Sequence, residues 1–489
     1  MSSDTEESGL VRQLSWVHGA TIMAGMMIGA GIFVITGQAA AVMGPTVPLG
    51  FLAVIPLIIV TALIYSIYMS GPLGEHAGGA YVHISRTWNS LFTGYIVMWV
   101  KWVAYAGTIA AIGIDLGGVL HTFDVLSFLP AQTWALLVIT VLFVVNLIGI
   151  DIYGNAQAFM TIPLVVALLL LVVPGLFAVS GGNFTPLLPA ELYADGYIDP
   201  VLSGTAVLLF SYIGFEALAQ AGEEMKAPQR TLPKLFVYTS VGVGILYTLV
   251  TFVVIGVIGW QTAASVEAPL TAAAQSYFPA GTAVVIALAS ILAYLTTINT
   301  SYLVPSRLLY AFGKDNIVPS TLAHVNERFH TPDVSLTITY VVSVVLVLTA
   351  TFQFAILITL SAVTLVYFTH SLSGMALPWL RPELYEQSEF RPSPIVCSII
   401  GGVSALTMAV LGWQTLSVNG LEPAARTVLA GNIVEGLTSN PALMLLVWAV
   451  AGAVVFFGYR LYLRSQDLDI EERQTIKALY DSPDSTNDD

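Results

Sequence analysis

Charge is what this sequence has least of. Only 9% of its 489 residues are Asp, Glu, Lys or Arg, whereas 56% are hydrophobic. A soluble chain of this size needs far more charge to cover its surface. Cysteine is almost absent. The single Cys397 excludes an intrachain disulfide framework and a thiolate metal cluster; inside an apolar run it reads as a small buried or lipid-facing residue. Basic residues are also scarce: 16 Lys and Arg against 30 Asp and Glu leave a formal charge of −14. That balance argues against nucleic acid as a partner. The amino-terminal stretch MSSDTEESGLVRQ lacks the basic region and cleavage site of a signal peptide, so the first apolar run is expected to be a retained span. No zinc-binding His-Glu-x-x-His, no phosphate-binding glycine loop and no serine–histidine–aspartate arrangement occurs. The expected class is therefore not an enzyme, with no cofactor and no metal.

What the sequence does have is apolar length. Mean hydropathy is +0.82, and runs long enough to cross a ~30 Å hydrocarbon core recur along the chain. The reading is an all-α polytopic membrane protein with about 12 transmembrane helices. The first six spans fall near residues 16–43, 47–69, 91–120, 133–150, 156–180 and 201–221. The second six fall near 234–259, 281–312, 334–351, 354–373, 395–416 and 441–463. Placing the amino terminus in the cytoplasm leaves only Arg426 outside and only Lys101 deep in a span. Cytoplasmic loops are enriched in Lys and Arg, so both termini are expected to be cytoplasmic. The expected organisation is a tail over 1–15, a ten-helix core over 16–373, two further helices over 395–463 and an acidic tail over 464–489.

Two of these runs should not be plain helices. Residues 24–36, AGMMIGAGIFVIT, carry Gly25, Gly29 and Gly31 near the middle of the first span. Residues around LLFSYIGFE place Ser211, Gly214 and Glu216 in the middle of the sixth. Each opens a group of five spans, and odd groups run in opposite directions. That is the layout of an inverted repeat, near 16–180 and 201–373, with a discontinuous first helix in each half. Freed backbone is tolerated at that depth only where it lines a cavity or binds a ligand. A half-helix amino terminus suits a carboxylate, and freed carbonyls suit an ammonium group. Together they suit a zwitterion without any charged side chain. Tighter helix packing through Gly25-x-x-x-Gly29 is the alternative.

Four stretches resemble the amino acid–polyamine–organocation superfamily of transporters. They are IGAGIF, PLGEHAGGAYVHISRTWNSLFTGYIVMW, FSYIGFEALAQAGEEMKAPQRTLPK and INTSYLVPSRLLYAFGKDNIVP, in the family's order. The resemblance covers residues 16–373 and weakens over the last two spans. It implies a LeuT-like five-plus-five core working by alternating access at the cell membrane, with an amino acid or related amine as substrate. By position it implies that Ala30 and Gly31 amides, beside Gly29, hold the substrate carboxylate. Carbonyls of Ile28, Phe210 and Ile213 would hold the ammonium group, beside Gly214. Phe210 matches an aromatic position that caps the site, and Ser211 and Tyr212 are placed to contact the side chain.

Coupling is left open among protons, sodium and exchange. Some relatives carry a lysine in the fifth span, at a position that Pro163 matches here. Lys101 lies about 15 Å of helix rise into the third span. A mid-membrane charge costs at least about 3 kcal/mol and faces the bundle interior. Glu216 is its expected partner. Proton carriage, a structural pair and substrate contact all fit Lys101. Thr296 and Thr297 are the sodium-ligand candidates, in competition with hydrogen bonding to their own helix. His370 reads as interfacial, Asp115 as reaching water, and the EEMKAPQRTLPK loop as a helix anchor or a gate. With only Glu216 near the site, a neutral or hydrophobic α-amino acid is favoured over a cationic one or a polyamine. An ion channel or sensor on the same scaffold is the reading from another class.

Overall fold

The computed structural model describes residues 9–466 apart from Ala30, Asp195, 280, 282–283, 350–351, 418–425, 428 and 433–439. Every long element is an α-helix. The first half contains α1 (Trp16–Ile28), α2 (Gly31–Met43), α3 (Val47–Met69), α4 (Ala80–Thr87), α5 (Leu91–His121), α6 (Ala131–Leu147) and α7 (Ile150–Gly175). After the short α8 (Ala190–Tyr193) come α9 (Ile198–Phe210), α10 (Pro228–Ile258), α11 (Trp260–Ser265), α12 (Pro269–Tyr277) and α13 (Val284–Lys314). The chain continues through α14 (Asp333–Leu348), α15 (Phe352–Leu380), α16 (Pro382–Glu386), α17 (Pro394–Ser417) and α18 (Pro441–Ser465). Eight stretches, among them Leu91–His121, Pro228–Ile258 and Val284–Lys314, are long and apolar enough to cross a membrane by length and composition. The helices α6 and α14 are shorter apolar segments.

Local chemistry sets many of the helix ends. Ser15 caps α1 in a reciprocal arrangement: its hydroxyl accepts from the His18 N–H, and the His18 ring accepts from the Ser15 N–H. This satisfies donors that a helix amino terminus leaves open. Ser90 caps α5 by accepting from the Thr93 N–H, and Asn440 caps α18 by accepting from the Ala442 and Leu443 N–H groups. The fifth expected span starts earlier than its apolar pattern, at Ile150, because Gly149 at φ 133° supplies the reversal from α6.

Helices pack where small residues let them approach. A methyl on Gly117 of α5 would stand 2.1 Å from the Ala131 carbonyl of α6, and one on Gly452 of α18 would meet the Trp99 ring at 2.4 Å. Close approach through small residues is how helices associate in lipid, where apolar burial gives no drive. The helix α3 packs along α10, and α5 is flanked by α13 and α15. Between them lies α1, against α7, α10 and α13.

The Lys- and Arg-rich end of the bundle is locked. Arg86 makes a two-pronged contact to Asp315, Nη1–Oδ2 2.7 Å and Nη2–Oδ1 2.9 Å. Arg307 does the same to Glu224, Nε–Oε2 2.9 Å and Nη2–Oε1 2.7 Å. All four side chains are buried. Burial pushes the Glu224 carboxyl up, and Arg307 opposes that shift. The segment before α1 is not a free tail: Leu14 is fully buried, its N–H donates to the Glu224 carbonyl at 2.9 Å, and its carbonyl accepts from Lys226 at 3.0 Å. The EEMKAPQRTLPK loop therefore anchors α1, α13 and its own start at once. The expected acidic tail lies outside the described residues from 467 onward.

Removing one partner of a buried ion pair costs about 3–5 kcal/mol. Arg307→Met is expected to lower the unfolding temperature of the detergent-solubilised protein, and Arg307→Met with Glu224→Leu to recover most of the loss. A double variant as unstable as the single one would show that the isolated charge is not the cause.

Candidate functional site

The backbone leaves the helix twice, and the two places meet. The helix α1 ends at Ile28; Gly29 adopts φ 16°, ψ −161°, with its N–H still bound to the Gly25 carbonyl at 3.1 Å. Helix resumes at Gly31. Opposite, α9 ends at Phe210, and Gly214 at φ 99° turns the chain into a 3₁₀ segment, Phe215–Gln220. That left-handed backbone favours glycine. A methyl on Gly31 would lie 3.6 Å from the Ser211 Cα, and one on Gly214 would lie 2.1 Å from the Met26 Cγ. The structure thus gathers Ile28, Gly29 and Gly31 on one side, and Ser211, Tyr212, Ile213 and Gly214 on the other. Ala30 and the Phe210 side chain lie outside the described residues. Ser211 Oγ and Tyr212 Oη are buried with no hydrogen-bond partner among the described residues.

Tyr247 of α10 joins the two interruptions. Its hydroxyl lies 2.5 Å from the Met27 carbonyl and 3.1 Å from the Ser211 carbonyl. One O–H is shared between acceptors released by different helices. Sequence reasoning passed over it. The available signal was a tyrosine within the apolar run VGVGILYTLV, because a buried tyrosine hydroxyl seeks a partner.

Lys101 and Glu216 meet as expected. Nζ is 2.5 Å from Oε1, and both side chains are fully buried. The Tyr105 hydroxyl donates to the same oxygen at 3.4 Å, and the Tyr367 hydroxyl donates to Oε2. Tyr367 Oη in turn accepts from the Gly214 N–H at 3.5 Å. The carboxylate is thereby wired to the sixth-span break through one tyrosine. Lys101 also sits 5.6 Å from the Tyr105 ring centroid, within cation–π range.

The two threonines reach the first break. Thr296 Oγ1 donates to the Gly25 carbonyl at 3.0 Å, while Thr297 Oγ1 donates within its own helix, to Ala293, at 2.9 Å. A methyl on Gly29 would stand 2.3 Å from Thr297 Oγ1. The fifth span needs a correction. Pro163 is exposed; the residues that face α1 are Gln157 and Thr161, whose polar atoms lie 2.3 and 2.4 Å from a methyl placed on Gly25. Gln157 continues into a buried amide chain: its Oε1 accepts from Asn299 at 2.8 Å, and Asn299 Oδ1 accepts from Asn146 at 2.9 Å.

His370 is a second correction. It is fully buried rather than interfacial, and its Nε2 is 2.9 Å from His83 Nδ1. A ring half-way along a neighbouring short helix covers it, which no single-helix pattern shows. Asp115 is exposed, as read, and Cys397 is buried.

Leaving buried carbonyls unpaired costs about 1–3 kcal/mol each. Tyr247→Phe is expected to destabilise the detergent-solubilised protein by that order in thermal unfolding; an unchanged unfolding temperature would remove the shared hydrogen bond from the account. Gly31→Ala, which meets only ordinary contact, is expected to fold and keep ligand binding. Gly31→Val is expected to fold and lose it. Binding retained by Gly31→Val, read by labelled-ligand titration, would make GAGIF a packing motif alone.

A family model described as amino acid permease matches residues 14–425. The chain is 26% identical over 359 residues to the branched-chain amino acid permease BcaP of Bacillus subtilis (strain 168), covering 68% of this chain and 74% of that one. It is 28% identical over 347 residues to the chloroplastic cationic amino acid transporter 9 of Arabidopsis thaliana, covering 66% of this chain and 58% of that one. The chain thus spans less than two thirds of the plant relative's length. A branched-chain permease BcaP of Lactococcus lactis subsp. cremoris (strain MG1363) is 28% identical over 323 residues, covering 62% and 69% of the two chains. With apolar helices, a match over most of the length and two facing helix interruptions, this chain belongs to the amino acid permease family, as a multi-pass membrane protein.

Proposed function

We propose that the protein is a secondary transporter that carries a neutral or hydrophobic α-amino acid across the cell membrane by alternating access. The observation that carries this reading is the approach of Gly31 to Ser211 and of Gly214 to Met26, with one Tyr247 hydroxyl joining the Met27 and Ser211 carbonyls. Amides of Ala30 and Gly31 take the substrate carboxylate at the start of α2, where helix N–H groups are open. Carbonyls of Ile28, Phe210 and Ile213 take the ammonium group, and the unpartnered Ser211 hydroxyl contacts the bound molecule. Twelve spans, a five-plus-five core with two added helices, and cytoplasmic termini complete the reading. The pairing of α3 with α10, the second span of each group of five, supports the repeat.

The substrate's charge follows from Glu216. A cationic side chain or polyamine needs a free acid to leave water, and the carboxylate beside the break is already neutralised by Lys101. Names of relatives point both ways, to branched-chain and to cationic amino acids. The pairing favours the neutral class. We further assign coupling to protons, through Glu216 and Lys101. Sodium at Thr296 and Thr297 is the competing assignment, and exchange without an ion is the third.

Uptake of twenty labelled amino acids into liposomes, with proton and sodium gradients imposed separately, tests both parts. Hydrophobic α-amino acids are expected to accumulate with the proton gradient, and Glu216→Gln to lower gradient-driven accumulation at least tenfold. Accumulation that follows sodium alone would overturn the proton assignment. Uptake of only lysine, arginine or polyamines would overturn the substrate class, and currents far above transporter turnover would favour a channel.

A further inference from the structure

Beside the Lys101–Glu216 pair lies a second buried polar cluster that no step above uses. His83 of α4 and His370 of α15 are both fully buried, with His83 Nδ1 2.9 Å from His370 Nε2. Each ring stacks on a tyrosine of α3. His83 stacks on Tyr68 at 4.4 Å between centroids, and His370 stacks on Tyr65 at 3.9 Å. Packing alone would be served by phenylalanine. Instead, the outer nitrogens, His83 Nε2 and His370 Nδ1, and the Tyr65 hydroxyl are buried with no hydrogen-bond partner among the described residues. Such groups are costly to bury unpaired.

The cluster has two ends. Toward the core, His370 sits one helical turn from Tyr367, whose hydroxyl donates to Glu216, on the same helix face. The Tyr65 ring also meets Phe215, the neighbour of Glu216, at 5.5 Å. Toward the basic end, Ser373, a further turn along α15, accepts from Trp88 Nε1 at 2.8 Å. Trp88 is 42% exposed, so the end of α4 reaches the surface there, while Ser373 beneath it stays buried. The titratable and charged groups near the rings are Tyr65 and Tyr68 from α3, Lys101 from α5, Tyr367 from α15, Glu216, and Cys397 from α17 near Tyr68. Arg86, on α4 itself, is held away on Asp315.

Two imidazoles in one N–H···N bond can pass a proton through the pair. Burial pushes the His83 imidazole down to about 3, so this ring is neutral near pH 7. When His370 Nε2–H donates to a neutral His83, His370 Nδ1 keeps a lone pair and His83 Nε2 keeps a proton. A proton delivered by water to His370 Nδ1 moves the Nε2 proton across to His83 Nδ1, and a second water takes the one on His83 Nε2. One proton enters and one leaves. The rings finish neutral with tautomers exchanged, and both rotate back before a second proton passes in the same direction. Concerted entry and exit avoid a lasting buried charge.

We propose that His83 and His370 form a two-ring proton relay joining the Glu216 carboxyl to the Lys- and Arg-rich face of the molecule. The relay rests on proton coupling through Glu216, but its residues touch neither helix interruption.

The test uses the full chain in liposomes with a trapped pH dye. Substrate-induced proton flux and substrate counterflow, which needs no net proton movement, are measured on the same preparation. In His370→Gln and His83→Gln, amides of similar size replace the rings. Proton flux is expected to fall at least tenfold, with counterflow within about twofold of wild type, since a tenfold change in rate is about 1.4 kcal/mol in barrier. Proton flux unchanged in both variants overturns the relay. Flux and counterflow falling together in both, with the proteins folded and monodisperse, also overturns it, since that is a structural role. If His370→Gln does not fold, His83→Gln on the short α4 decides alone. Wild-type protein without substrate-induced proton flux sinks the coupling assignment and the relay with it. That outcome appears before any variant is made, so the two failures are distinguishable.

Discussion

A backbone carbonyl released inside a bilayer has no water to turn to, and the centre of this molecule is arranged around that fact. Two helices stop facing each other, and the carbonyls of Met27 and Ser211 converge on one tyrosine hydroxyl. Tyr247 reaches both because α10, which carries it, packs against α1 and α3. The position of α10 is therefore tied to the state of both breaks. A bound ligand that drew either carbonyl away would loosen a contact with a third helix. That is a direct route from a small molecule to a helix movement.

The buried charges divide by chemistry as well as by place. At the basic end, both cations are arginines, each gripping a carboxylate with two prongs. Guanidinium keeps its proton at any working pH, and its fork fixes geometry, so these pairs act as fasteners. In the middle the cation is a lysine, held by a single contact to Glu216 with two tyrosines on the same carboxylate. The pair next to the break lacks the fork that fixes the two arginine pairs. The amide chain through Asn146, Asn299 and Gln157 carries no charge and ties α6, α13 and α7 behind it.

Much of this was legible because it is local. Long apolar runs gave the helices; α3 coincides with its expected range, 47–69. Glycines at mid-span gave the first break, and Ser211 with Gly214 gave the second. A lone lysine and a lone glutamate in apolar surroundings gave Lys101–Glu216 as a pair, since neither could be buried alone. What escaped was set by partners distant in sequence. Tyr247 and His370 look like ordinary apolar-run residues until the helix opposite is known. Pro163 marked the right helix but the wrong side of it, because a span's interior face is fixed by neighbours rather than by its own composition. The Leu14 contact to Glu224 escaped because backbone pairing between a short polar segment and a remote loop leaves no side-chain signature.

The lysine in α5 also says something about the order of assembly. Its carboxylate lies 115 residues further along the chain, beyond α6 and α7. When α5 first enters the bilayer during synthesis, Lys101 has no counter-ion and Glu216 does not yet exist. The 31-residue length and apolar character of α5 must carry that charge unaided, or the helix must wait near the insertion machinery until α9 and the turn after it arrive. The first helix waits as well, because the backbone partners of Leu14 are Glu224 and Lys226. The first half of the chain is thus made before it can be finished, and the polypeptide that follows Phe210 supplies its closing parts.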